Sequence, residues 1–79
     1  MTNQEIKKIR EKIDAVDEEL IPLLETRFAW VAKLAPHKTS ITDQKREQEI
    51  TAKTNSLAVK KVYQQIFSVA KSLMNKNNL

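Results

Sequence analysis

The sequence predicts an all-α protein of three helices, one long, one short and one of medium length. Three observations carry this. Apolar residues recur at spacings of three and four, and no run alternates with the period of two that a half-buried strand needs. Glycine is absent from all 79 residues, against about 7% in an average chain, so the usual residue for hairpin turns of positive φ is missing. Charged residues make up 30% and aromatic residues 5%, a balance that suits helices with solvated faces and does not suit a β-sandwich.

The long first helix is read from Ile6, Ile9, Ile13, Val16, Leu20, Leu23, Leu24, Phe28, Val31 and Leu34, one amphipathic stripe. Thr2 followed by Glu5 is a capping-box pattern at its start. Pro36 is its terminator, with Lys38 a candidate for a last distorted turn. Pro22 lies inside the stripe, removes one backbone donor and should kink the helix near residues 18–20. Residues 36–42 read as a polar loop, in which Ser40 or Thr42 can cap a short second helix of about residues 43–53. Thr54, Asn55 and Ser56 form a second break. Asn55 or Ser56 can cap a third helix that carries Val59, Val62, Ile66, Val69, Ala70 and Leu73.

Length and composition exclude much. Residues 1–79 make a single domain, too short for a two-domain Rossmann enzyme, a TIM barrel or a kinase. Zero cysteine removes disulfides, iron–sulfur clusters and thiolate zinc sites. Zero glycine removes the P-loop and the dinucleotide fingerprint. Ten charged residues between Glu5 and Glu19 are incompatible with a signal peptide or membrane span there. The expectation is a soluble, cytoplasmic chain with no membrane partner.

The first helix is also too long for its chain. About 33 residues at roughly 1.5 Å each reach roughly 50 Å, whereas a compact chain of this size has a radius of gyration near 12 Å and a diameter near 30 Å. Either Pro22 folds the segment back into a hairpin, or the helix protrudes with its apolar stripe bare. No loop residues accompany Pro22, so the expected state is a homodimer in which two long helices cover each other.

Charge is unevenly placed. Residues 1–50 hold nine basic and ten acidic side chains, and residues 51–79 hold five lysines and no acid. A solvated helix face accounts for the lysines. A nucleic-acid surface is not expected, because no arginine, interleaved aromatic ladder or binding motif accompanies them. Only three of the fourteen basic residues are arginine: Arg10, Arg27 and Arg46. Arginine's rigid fork is preferred where a carboxylate is held by two hydrogen bonds. Arg27 borders the apolar stripe, and Lys38 falls three turns later on nearly the same face if the helix persists, roughly 16 Å away. Asp43, Arg46 and Glu47 share a face of the second helix. A snorkelling side chain at Arg27 and an intrahelical ion pair in the trio are the purely structural alternatives. His37, the single histidine, sits beside Pro36 and reads as a solvated loop residue.

The run from Ile9 to Leu20, with Arg10, Ile13, Asp14 and Asp17, followed by Leu23, Leu24 and Arg27, then Lys38, then Asp43, Arg46 and Glu47, resembles the all-helical (type II) chorismate mutases. The resemblance spans roughly residues 6–74, and all three arginines fall on family positions. It implies an intertwined homodimer of three-helix subunits that rearranges chorismate to prephenate without cofactor or metal. It further implies that Arg27, Lys38, Arg46, Glu47 and Asp43 serve the site of their own subunit, and that Arg10 is donated to the partner's site. Arg10 and Arg27 stand roughly 25 Å apart along one helix, too far to grip one small molecule from one chain.

Two departures qualify the resemblance. On the third helix, aligning residues 62–67 puts Ala70 and Met74 where the family usually has a small or hydroxyl residue and a glutamine, and methionine cannot donate a hydrogen bond. This register keeps Ile66 and Val62 inward; shifted registers would instead offer Lys71 with Asn75, or Met74 with Asn78. Pro36, two residues before Lys38, is the second departure. A helical dimer of weak or absent activity, acting as a regulatory or interaction module, is therefore the alternative to an active mutase.

Overall fold

The computed structural model describes residues 1–37 and 44–77, with residues 75–77 described by their backbone alone. It contains α1 (Asn3–Leu34), a 3-10 turn (Ala35–His37), α2 (Gln44–Thr51) and α3 (Leu57–Asn77). No strand occurs among the described residues. No helix among them is long and apolar enough to cross a membrane.

α1 begins where the capping residues place it. The Thr2 hydroxyl accepts from the Glu5 N–H at 3.1 Å, and the Thr2 carbonyl accepts from the Ile6 N–H at 3.1 Å. The helix then runs uninterrupted for 32 residues with Pro22 inside it, which rules out the hairpin alternative. One lost donor and a ring clash at a single position are outweighed by the hydrogen bonds of the remaining turns. Before Pro36 the helix tightens to the 3-10 turn, whose last residue, His37, is exposed as expected.

α2 is shorter than expected, ending at Thr51 rather than at Lys53. The Thr51 hydroxyl donates back to the Glu47 and Gln48 carbonyls at 3.1 and 3.3 Å. The following amides then close tighter rings, from Lys53 N–H to the Ile50 carbonyl and from Thr54 N–H to the Thr51 carbonyl. Of the two caps proposed for α3, Ser56 is the one used. Its hydroxyl accepts from the Val59 N–H at 3.2 Å, its carbonyl accepts from the Lys60 N–H, and its own N–H donates to the Thr54 hydroxyl. The caps suggested at Ser40 and Thr42 lie outside the described residues.

α3 is the element on which the others pack: α1, the 3-10 turn and α2 all contact it. Among the described residues the buried ones are Ala35, Ile66, Phe67, Ala70 and Met74, four of the five on one face of α3. Neither α1 nor α2 contributes a buried residue. Val62, expected to point inward with Ile66, is 58% exposed. It lies one turn before Ile66, ahead of the buried residues of α3.

The long helix keeps the molecule extended, at 53 × 24 × 15 Å with a radius of gyration of 16.4 Å; a compact chain of this size has about 12 Å. The uncovered stripe is nearly continuous along α1: Ile9, Ile13, Val16, Leu20, Leu23 and Leu34 are all exposed. With so small a core, each helix end matters. Ser56→Ala should lower stability by about 1 kcal/mol through loss of the α3 cap, read as a reduced midpoint in urea denaturation followed by circular dichroism.

Candidate functional site

The candidate site forms where α1 and α2 meet the middle of α3. Tyr63, Phe67 and Lys71 follow one another at intervals of four on α3, so their side chains line up along one face. The Tyr63 and Phe67 rings are tilted against each other with centroids 5.7 Å apart. Arg27 reaches them from α1: its guanidinium carbon lies 5.8 Å from the Tyr63 centroid and 5.7 Å from the Phe67 centroid. The two rings therefore form an aromatic shelf beneath the cation. Attraction by the ring quadrupoles helps hold the guanidinium there and uses none of its N–H donors, which can then serve a carboxylate.

Phe67 also joins this shelf to an open cleft between α2 and α3. The cleft, about 350 Å³, is lined by Gln44, Glu47, Gln48, Thr51, Gln64 and Phe67. That volume is at the small end for a ligand site. Glu47 faces into it from α2, and its carboxylate pairs with the Lys71 ammonium of α3 (Nζ to Oε2, 3.4 Å). Both side chains are partly covered, Lys71 at 33% and Glu47 at 26% exposure. Glu47 thus makes a cross-helix ion pair.

The sequence-predicted residues divide into three groups. Arg27 lies over the buried Phe67 ring, and Glu47 lines the cleft that Phe67 also lines, whereas Arg27 is not one of its lining residues. Arg46, next to Glu47 on α2, is exposed. Ala70 and Met74 are both buried on the inward face of α3, Met74 at 6% exposure. Ile66 is buried with them, whereas Val62, the other residue the chosen register was to keep inward, is exposed. Arg10 is exposed on α1, four to five turns from Arg27. Lys38 and Asp43 lie outside the described residues, as do the side chain of Asn75 and the whole of Asn78.

The sequence profile of the family described as chorismate mutase type II matches residues 9–75, most of the chain. The chain belongs to the chorismate mutase type II family. Comparison with curated proteins and with solved structures returned no match. The family's matched region begins just before Arg10 and runs through α2 and α3 to the residue after Met74. It therefore includes every side chain of the candidate site.

Two contributors were missed in the sequence. Tyr63 and Phe67 stand four apart on the third helix, a spacing that signals ring contact, but nothing in the sequence shows that Arg27 lands on them. Lys71 appeared only in an alternative register, and its pairing with Glu47 depends on how α2 is laid across α3. The aromatic shelf is testable by stability alone. A double-mutant cycle of Arg27→Met and Tyr63→Leu should give a coupling energy of about 0.5–1 kcal/mol in chemical denaturation, the size of an exposed cation–π contact. Additive effects would show that the guanidinium does not rest on the ring.

Proposed function

We propose that this chain is a chorismate mutase, acting as a homodimer with two composite sites. The observation that carries the reading is that the Phe67 ring lies under the Arg27 guanidinium and lines the same cleft as Glu47, within a chain of this family. A ring-held guanidinium and a carboxylate wall beside it are suited to a small molecule bearing carboxylates and a hydroxyl.

The rearrangement of chorismate to prephenate breaks an ether C–O bond and forms a C–C bond in one pericyclic step. No proton, electron pair or group passes to the protein. A protein accelerates such a step by holding the substrate in its compact reactive conformer. It also places fixed positive charge where the departing ether oxygen gains negative charge. In the proposed site Arg27 grips one carboxylate with its in-plane donors. Arg10 of the second copy of the chain grips the other. Lys38 serves the ether oxygen and lies near the ring hydroxyl, Glu47 accepts from that hydroxyl, and Arg46 and Asp43 complete the polar wall. Ala70 and Met74 supply an apolar surface behind it.

The dimer follows from the same geometry. The exposed stripe of α1 needs a cover, and a second α1 is the matching surface. Burying half-exposed Ile, Val and Leu side chains along it contributes roughly 1 kcal/mol each. A reading without turnover, as a helical dimer with a regulatory or interaction role, is favoured by one residue: Met74 presents no donor toward the site.

Loss of chorismate absorbance on adding purified protein tests the activity. Arg27→Ala should reduce turnover by about 10²-fold or more, since it removes a charged clamp from the site. Equal chorismate decay with and without protein would leave only the helical module.

Arg10 gives a sharper test of the composite site. Arg10→Ala and Arg27→Ala homodimers should each be nearly inactive. A heterodimer of the two has one site with both arginines intact, so random mixing should restore roughly a quarter of wild-type activity. No recovery in the mixture, with heterodimers verified by native mass spectrometry, would place Arg10 in its own subunit's site or outside any site. Sedimentation at micromolar concentration should give a dimer; a 9 kDa monomer would remove the composite site.

A further inference from the structure

We propose that Lys71 is a positioning and specificity residue of the site. It acts by neutralising and orienting Glu47, so that the wall bearing this carboxylate accepts a dianionic ligand. The proposal rests on the chorismate mutase reading for the identity of the ligand, but not for the role of the ion pair.

The argument begins with a conflict of charge. Glu47 lines the cleft, so an ionised carboxylate stands in a wall that is to receive a molecule with two carboxylates of its own. Unpaired, it repels such a ligand at short range in a partly desolvated setting, where charges interact more strongly than in open water. Lys71 removes the conflict. Its ammonium lies 3.4 Å from Oε2 of Glu47, and both side chains are more than half covered.

The ammonium is also well placed to hold the carboxylate's orientation. Lys71 follows Phe67 by one turn on α3, and Phe67 lines the cleft beside Glu47. Its neighbours Ala70 and Met74 are buried and apolar, so the lysine stem lies along a packed face and carries its charge to the edge of that face. Glu47 is fixed at its own end by α2, whose last turn is tied by the Thr51 hydroxyl to the Glu47 carbonyl. The pair thus bridges α2 and α3. The contact with Oε2 fixes the ammonium's charge at the carboxylate itself.

Lys71 does not have the same standing as Arg27. Arg27 lies over two rings and in the proposed site offers its fork directly. Lys71 reaches the ligand through Glu47, and its removal should weaken binding more than it slows the chemical step.

The test uses the full-length chain with two readouts. One is steady-state chorismate turnover. The other is calorimetric binding of prephenate, a dicarboxylate that can be titrated whether or not the chain catalyses its formation. Lys71→Met should raise KM and the prephenate Kd about tenfold while changing kcat less than threefold, and Lys71→Arg should restore both to within about threefold. In a Glu47→Gln background the same Lys71→Met change should alter Kd less than threefold, because the repulsion it relieves is already gone. Far-ultraviolet circular dichroism establishes that each variant is folded, and Lys71→Arg keeps the test valid if Lys71→Met is not.

The outcomes separate the two claims. Turnover by the wild type with no change on Lys71→Met overturns the role of Lys71 and leaves the mutase reading standing. Prephenate binding that depends on Lys71 without any wild-type turnover supports Lys71 and overturns the mutase reading. An equal Lys71→Met effect with and without Glu47 overturns the proposal, since Lys71 would then act independently of that carboxylate. Absence of both turnover and binding overturns both.

Discussion

The constraint on which the rest depends is the length of α1 relative to the chain that has to cover it. A 32-residue helix is about 48 Å long, and the remaining helices have 8 and 21 residues. They cannot run alongside all of it. The core is consequently not built on α1, which has no buried residue, but on one face of α3. The apolar stripe of α1 is left as surface along most of the molecule. In water this is a standing cost that favours association, and a proposed dimer is the arrangement in which the same stripe becomes core. The spacing that keeps Arg10 away from Arg27 and the stripe that asks for a second chain are thus two consequences of one helix length.

Phe67 is the point at which this scaffold turns into a site. As one of the few buried side chains it is held by packing. The guanidinium of Arg27 lies over its ring, and Phe67 also lines the cleft that Glu47 lines. Groups brought by three different helices are therefore referred to one rigid side chain. A flexible diacid is best restrained by charges whose own positions are fixed beforehand, because ordering them after binding would consume the binding energy. Tyr63 extends the same shelf by one turn, so the arginine rests on two rings.

Much of this was legible in the sequence, and the reasons differ by element. The helices were legible because periodicity is a local property of the chain: the start of α1 at Thr2 and the cap of α3 at Ser56 are set by hydroxyls next to the amides they accept from. The end of α2 was not, since residues 52 and 53 contain no breaker and the decisive event is the Thr51 hydroxyl turning back onto its own helix. Val62 was misplaced because a stripe shows which residues share a face, and not how far along the helix a neighbour covers it. Among site residues, the arginines stood out by choice of residue type, arginine being scarce in a lysine-rich chain. The partners of those charges did not stand out. Whether Glu47 turns to Arg46 on its own helix or to Lys71 on another depends on helix packing, for which the sequence offers no spacing to count.

The pairing of Glu47 with Lys71 also bears on Met74. A buried methionine in the inward face of α3 contributes shape and no donor, which makes this side of the site look electrostatically empty when side chains are considered singly. One turn earlier the same helix supplies an ammonium. Stabilisation of developing negative charge depends on where positive charge is fixed and how far it is desolvated, and is not tied to one residue position. Displacing the cation by a turn changes which atom of a ligand it can reach: it sits against the carboxylate wall rather than at the depth of Met74. If Lys71 acts as proposed, ligand recognition and acceleration of the chemical step are divided along α3, with binding served by the charged turn at Lys71 and packing by the buried turn of Met74.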